Sequence, residues 1–296
     1  MAETIDVIIP AYGETPHLRS VLDAICSGTL RPASVTVSHS GDHDPSGWIG
    51  AHYPDVMCCH SPQRLFAGEA RNRAAALGQA EILAFCDSDT VPAPDWLQRI
   101  AARLEGEAGV FLVGSVGVAR LGGYWGMSTW HCEFSEQAPF NNLRDQRGGA
   151  SCNTAIRRTD FEAVGGFPND FRAGQDTMLF YRLREAGLRQ LFDPDIRVDH
   201  FNIPGFRHFA RHQFNQGRHF AKTRLHADLP GRFAVRVWPL SIPLGAYKAL
   251  KVLGRLARAR RICWLLGYLP GILVACTIWG AGCTYAAATG RFTGRY

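Results

Sequence analysis

The sequence predicts an α/β protein whose mostly parallel sheet is flanked by helices, and three observations carry that reading. Short β-branched apolar runs alternate with helix-patterned segments, the runs end in polar loops, and no segment repeats another. Val7-Ile8-Ile9 is the first run, and Pro10 is expected to stop it. After Thr15, the residues Leu18, Val21, Leu22 and Ile25 recur at helical spacing. Val35 and Val37 begin a second strand that turns at Ser38-His39-Ser40-Gly41. Ile82-Leu83-Ala84-Phe85-Cys86 is a buried strand that ends in Asp87-Ser88-Asp89, and the Ala-rich segment 68–80 before it suits a helix. Right-handed crossovers between parallel strands leave ligands at the strands' carboxyl ends, where these polar loops lie. Residues 108–158 change to glycine-punctuated apolar pieces, 110–118 and 125–130, expected to form extra strands and a surface loop. Asp160 is expected to cap a short helix over Phe161-Glu162-Ala163-Val164 that closes at Gly165-Gly166, and 175–186 to form an amphipathic helix stopped by Gly187.

The 296 residues are 46% hydrophobic and 20% charged, which excludes disordered, collagenous and coiled-coil chains. The net charge of +6 conceals an asymmetry: residues 1–203 hold 17 Lys and Arg against 25 Asp and Glu, and residues 204–296 hold 15 against 1. A basic tail attracts either nucleic acid or an anionic membrane. The 29 residues 262–290 carry no charged side chain, and as a helix they exceed the roughly 30 Å of a hydrocarbon core. A membrane surface with anionic lipids is therefore the expected partner, and nucleic acid is not. Nine scattered cysteines, without paired or zinc spacing, point to a reduced compartment. The N-terminus carries Glu3 and Asp6 where a signal peptide needs cations, so no N-terminal export signal is expected.

Asp87-Ser88-Asp89 carries the chemistry. Two carboxylates one residue apart at a strand end suit a hard divalent cation, Mn²⁺ or Mg²⁺, which also takes phosphate oxygens. Arg71 stands at a helix start, where the macrodipole disfavours a cation, so a nucleotide contact is expected of it.

In order and spacing, Val7-Ile8-Ile9-Pro10-Ala11-Tyr12, Gly68-Glu69-Ala70-Arg71-Asn72, Asp87-Ser88-Asp89, Gly165-Gly166-Phe167 and Gly174-Gln175-Asp176 resemble family 2 glycosyltransferases of the GT-A fold. The similarity is to the membrane-associated bacterial type that acts in polysaccharide or glycolipid assembly. The resemblance implies that Pro10, Ala11, Tyr12 and Glu14 cradle the nucleotide, with Ser38 beside the base, and that Asp87 and Asp89 bind ribose and the metal. It also implies that His200 completes the metal site, that Gln213 and Arg218 close on the diphosphate, and that Asp176 is the catalytic base of an inverting transfer. Two positions depart from the family pattern. Ser38-His39-Ser40-Gly41 stands where Asp-Asp-Gly-Ser is common, and Gln175-Asp176 stands where Glu-Asp is common.

The expected domains are a catalytic domain over 1–230, with a nucleotide-binding half (1–105) and an acceptor half with a closing helix (106–230), and a membrane-associating tail over 231–296. Within the tail, 233–261 is expected to lie on the cytosolic leaflet, because a hairpin would place Lys248, Lys251, Arg255, Arg258, Arg260 and Arg261 on the wrong side of the positive-inside rule. Residues 262–290 are expected as one span or as a re-entrant pair of half-helices around Pro270-Gly271, with a buried helix pair of a soluble fold as the alternative. The expected activity is transfer from a nucleotide-diphospho-sugar to a lipid-linked or membrane-proximal glycan, at the inner membrane with the catalytic domain facing the cytoplasm. The rivals are a sugar nucleotidyltransferase, which usually needs a basic glycine-rich loop where Ala11-Tyr12-Gly13-Glu14 has no cation, and a non-catalytic nucleotide-binding scaffold.

Overall fold

The computed structural model describes residues 3–292. By Cα packing these fall into two compact units, one of residues 3–119 and 137–200, the other of residues 120–136 and 201–292.

The first unit holds β1 (Ile5–Tyr12), α1 (Leu18–Cys26), β2 (Ser34–Ser40), α2 (Ser46–His52), β3 (Val56–Ser61), α3 (Ala67–Ala75), β4 (Ile82–Cys86), β5 (Thr90–Pro92) and α4 (Trp96–Leu104). Next come β6 (Val110–Arg120), α5 (Gly123–Phe134), β7 (Arg144–Asp145), β8 (Asn153–Arg157), α6 (Arg158–Ala163), α7 (Gln175–Glu185) and β9 (Arg189–Phe201), of which α5 lies in the second unit. The sheet order is β3-β2-β1-β4-β8-β6-β9-β5, with β7 on β9. From β3 to β4 the strands are parallel; β8 pairs antiparallel with β4 and β6, and β5 and β7 pair antiparallel with β9.

β1 lies between two parallel neighbours, which is why Ile5 to Ala11 are all buried. It continues past Pro10 to Tyr12, since pairing with β4 ends at Ile8 and a missing N–H is tolerated where only one side is paired. Leu18, Val21, Leu22 and Ile25 form the buried face of α1, as their spacing predicts. The main apolar core includes Ile8, Leu83, Phe85, Phe111, Phe161, Phe167 and Phe180. In the antiparallel half, buried Asn153 accepts from Trp96 Nε1 at 2.9 Å and donates to the carbonyls of Ser115 and Ile196, both at 2.8 Å. One amide thus ties α4, β6, β8 and β9 together.

Two local expectations are corrected. Residues 125–130 are helix α5, not strand or loop; burial of Gly126, Met127, Ser128, Trp130, His131, Cys132 and Phe134 covers it on several sides and leaves no polar stripe for periodicity to show. Asp160 lies in the first turn of α6, and Arg157 holds the N-cap position because β8 runs straight into the helix.

The second unit continues with α8 (Phe206–His226), α9 (Arg232–Arg236), a 3₁₀ turn (Trp238–Ser241), α10 (Leu244–Arg258) and α11 (Ile262–Thr289). α11 is one 28-residue helix with Pro270 inside it, so the re-entrant break is not there. Gly271 N–H donates to Tyr124 Oη of α5 at 2.9 Å. By length and composition α11 is the one helix among the described residues able to cross a membrane.

Candidate active site

At the carboxyl ends of β1, β2 and β4, the chain leaves the sheet in turns. After Cys86, Thr90 Oγ1 accepts from Asp87 N–H at 2.9 Å, while Thr90 N–H donates to Asp87 O at 3.1 Å. This turn presents Asp87 and Asp89 at the strand end. β5 begins at once, and its antiparallel register sets Thr90 opposite His200 of β9. His200 Nε2 therefore lies 3.5 Å from Asp89 Oδ2, although the two are far apart in sequence.

Arg71 of α3 is 3% exposed and its Nη2 donates to Asp87 Oδ1 at 2.5 Å. Its guanidinium lies 5.2 Å from the centroid of the Phe167 ring, and Nε and Nη1 have no hydrogen-bond partner among the described residues. Asn72, next to Arg71, holds Phe167 in place: its Oδ1 accepts from Phe167 N–H at 2.9 Å and its Nδ2 donates to Phe167 O at 2.8 Å. Gly166 allows this approach, with φ of +63° and room for no Cβ, which would lie 2.7 Å from Asn72 Oδ1. The Arg71-Asn72 and Gly166-Phe167 pairs thus lock onto each other and aim Arg71 at Asp87. Arg71 is the fifth of the nine residues of α3, past its first turn, so the Asp87 carboxylate and not the macrodipole governs its charge, which corrects the helix-start reading.

Asp176 occupies the first turn of α7, after Gly174 with φ of +83°. Its Oδ1 accepts from Thr177 N–H at 2.7 Å. Burial pushes its carboxyl above the ordinary range, a shift partly opposed by the Thr177 N–H and the Arg71 charge, with Asp87 raising it further. Asp87, Arg71 and Asp176 are close enough to act on one another's charge, and Asp89 and His200 adjoin them through the Asp87–Thr90 turn.

At the nucleotide end expected from the sequence, Pro10 and Ala11 are buried strand residues paired with Ser38 and His39. Tyr12 is 50% exposed and stacks under the Arg64 guanidinium at 4.1 Å; Glu14 is exposed. Ser38 is buried, its Oγ has no partner among the described residues, and it lines a cavity of about 290 Å³ with Cys59, His60 and Leu65. His39 Nε2 donates to Gly13 O at 2.9 Å, and its Nδ1 lies 3.0 Å from His60 Nδ1. A carbonyl only accepts, so a neutral His39 presents Nδ1 as an acceptor and receives the His60 proton. Arg64 and His60 escape sequence reasoning: the pairing of His60 with His39 depends on the β2–β3 register, and no spacing marks Arg64.

Gln213 and Arg218 lie on α8 of the second unit. Gln213 Nε2 donates to Glu133 Oε1 at 3.0 Å, the same oxygen that His212 Nε2 meets at 2.6 Å. Arg218 Nε donates to Arg291 O at 3.0 Å, and its guanidinium lies over the Tyr285 ring.

Among the described residues no group of three or more His, Cys, Asp or Glu is gathered for a metal. The Asp89–His200 pair still fits one. A carboxylate and an imidazole suit Mn²⁺, and hard cations in such sites commonly take one or two protein ligands and fill the remainder with phosphate oxygens and water. Asp87 stands two residues from Asp89 in the same turn, with its Oδ1 held by Arg71.

A sheet that is parallel through β4, an Asp-X-Asp turn at its carboxyl edge and an antiparallel extension define a GT-A glycosyltransferase. The profile of Glycosyl transferase family 2 matches residues 6–165. The glycosyltransferase AglE of Haloferax volcanii is 25% identical over 244 residues, covering 80% of each chain. The pre-mycofactocin glycosyltransferase of Mycobacterium tuberculosis is 27% identical, and the alignment covers 97% of this chain but 64% of that protein. The mannosyltransferase PcManGT of Pyrobaculum calidifontis, solved with GDP-Man and Mn²⁺, has the same fold, with TM-score 0.63, 18% identity, and coverage of 98% of this chain and 88% of that one. GalNAc-T7, solved with UDP, GalNAc and Mn²⁺, has TM-score 0.56 at 16% identity over 69% of this chain and 44% of its own. The chain belongs to glycosyl transferase family 2, an enzyme class that transfers sugars from nucleotide donors.

Proposed function

We propose that this enzyme moves a sugar, with inversion, from a nucleotide-diphospho-sugar to a hydroxyl of a lipid-linked or membrane-proximal glycan, with Asp176 as general base. The observation that carries the reading is the meeting of Asp87, Asp89, Asp176, Arg71 and His200, from four separate segments, at the carboxyl edge of β4. Asp89 and His200 would hold a divalent cation with Asp87 beside it, and the bound cation would supply charge stabilisation for the departing diphosphate. Arg71 fixes the Asp87 carboxylate, and its two unpaired donors keep positive potential beside the diphosphate position. Asp176, held at its Oδ1 by Thr177 N–H, takes the acceptor proton on its other oxygen; its raised pKa makes it a stronger base than an exposed carboxylate. Tyr12 with Arg64, Ser38 and the His39–His60 pair form the nucleoside end, where histidines stand in place of the usual acids. The basic second unit addresses the enzyme to the cytosolic face of the inner membrane, which is what favours a lipid-linked acceptor. GDP-Man and UDP accompany the two structural neighbours, and both bases belong in the first donor panel. Thermal shift across nucleotide sugars with Mn²⁺ tests the reading: a donor at 100 times its Kd stabilises by about 2.7 kcal/mol. The stabilising donor should also be turned over, and binding without turnover would leave a scaffold.

A further inference from the structure

The 28 residues of α11 have the length and hydropathy of a span, yet their neighbours in the second unit are wrong for a bilayer. Gly217 of α8 approaches Trp279 O so closely that a Cβ has no room, and Gly282 meets Phe214 O in the same way. Gly245 of α10 packs on the backbone at Cys276 and Gly280. These backbone approaches fix α8 and α10 along the middle and C-terminal turns of α11. Both partners carry cations, Lys248 beside the middle of α11 and Arg218 at its C-terminal end. Lys248 Nζ lies 4.7 Å from the Trp279 ring, and Arg218, 7% exposed, is held between Arg291 O and the Tyr285 ring. If α11 crossed, its midpoint near Ala275 and Cys276 would bring Lys248 close to the bilayer centre. Ionised side chains at that depth are strongly disfavoured.

The exposed surface of the same unit fits a membrane differently. Phe233, Trp238, Ile242, Tyr247, Leu250 and Leu266 are 48–71% exposed, with Phe233 at 71% and Leu250 at 70%. Arg236, Lys251, Arg258, Arg260 and Arg261 are exposed among them, and no acidic residue follows Asp228. Large apolar side chains interleaved with cations are the composition of a surface that sinks shallowly between anionic headgroups.

We infer that α11 does not cross the bilayer: the second unit seats on one anionic leaflet through this apolar and basic rim, with the C-terminus on the same side as the N-terminus. The inference rests on the membrane association proposed above and specifies its form. It is tested on the full-length chain tagged at both ends, in inverted inner-membrane vesicles from a bacterial expression host. Protease should remove both tags without detergent. A C-terminal tag that stays protected until detergent is added, while the N-terminal tag is cut, would overturn the inference and leave membrane association standing. A chain that never sediments with membranes would overturn both. The second arm uses purified protein and vesicles with or without phosphatidylglycerol. Tyr247→Glu with Leu250→Glu, at two exposed positions, should lower sedimentation with anionic vesicles at least tenfold while donor binding is retained; unchanged sedimentation of that variant would also overturn the inference.

Discussion

Asp176→Asn separates proton transfer from donor binding. The substitution keeps an oxygen that accepts from Thr177 N–H at 2.7 Å and replaces the other oxygen by an amide nitrogen, which has no basicity. A positioned base contributes about 10² to 10⁴ in rate, or about 2.7 to 5.5 kcal/mol of transition-state stabilisation, so kcat should fall by at least 10². Donor affinity should stay within a few-fold, because the proposed donor and metal contacts lie on Tyr12, Arg64, Ser38, Arg71, Asp87, Asp89 and His200 and not on Asp176. Burial raises the folded carboxyl above its ordinary value of 3.8, so the acid limb of kcat/KM in the native enzyme should lie above that value and vanish in the variant's residual activity. Stability carries the same signature. In the window between 3.8 and the raised folded pKa the native state binds more protons than the unfolded state, so stability falls as pH rises through it. Asp176→Asn should remove that slope in urea titrations. The assays are steady-state kinetics across pH and donor calorimetry. A donor affinity that drops in step with kcat would refute the assignment and place Asp176 in the donor site.

Asp89→Ala should abolish Mn²⁺-dependent donor binding in calorimetry and His200→Ala should weaken it, whereas normal Mn²⁺-dependent affinity in Asp89→Ala would reject the metal assignment. Gly166→Ala should destabilise the chain by about 1–2 kcal/mol from its positive φ alone, with more from the contact at Asn72 Oδ1, measured by chemical denaturation. Gly217→Leu should drive a side chain into Trp279 O and raise hydrogen exchange in α8 and α11; unchanged protection there would deny the close packing of these helices. His60→Ala removes the proton donor to His39 and should change the order of nucleotide preference in the thermal-shift panel without lowering the affinity for Mn²⁺.

Local pattern made much of this protein readable. A buried apolar run followed by two acids marks β4 and its turn whatever the surroundings, because strand burial and turn chemistry act over a few residues. The same holds for α1 and for the start of α7, where helical spacing and Gly174 leave little choice. Resemblance alone points to His200, and its position 3.5 Å from Asp89 is set by the β5–β9 register, which no local signal contains. The His39–His60 pair likewise exists only through the β2–β3 register. α5 escapes a reading by periodicity because a helix covered on several sides loses the polar stripe that periodicity detects. Composition alone marks residues 262–290 as an apolar segment without charge, since a bilayer and a protein interior select the same side chains. The backbone approaches at Gly217, Gly245 and Gly282 are what bring α8 and α10, with their cations, against that helix, and only the tertiary structure decides them.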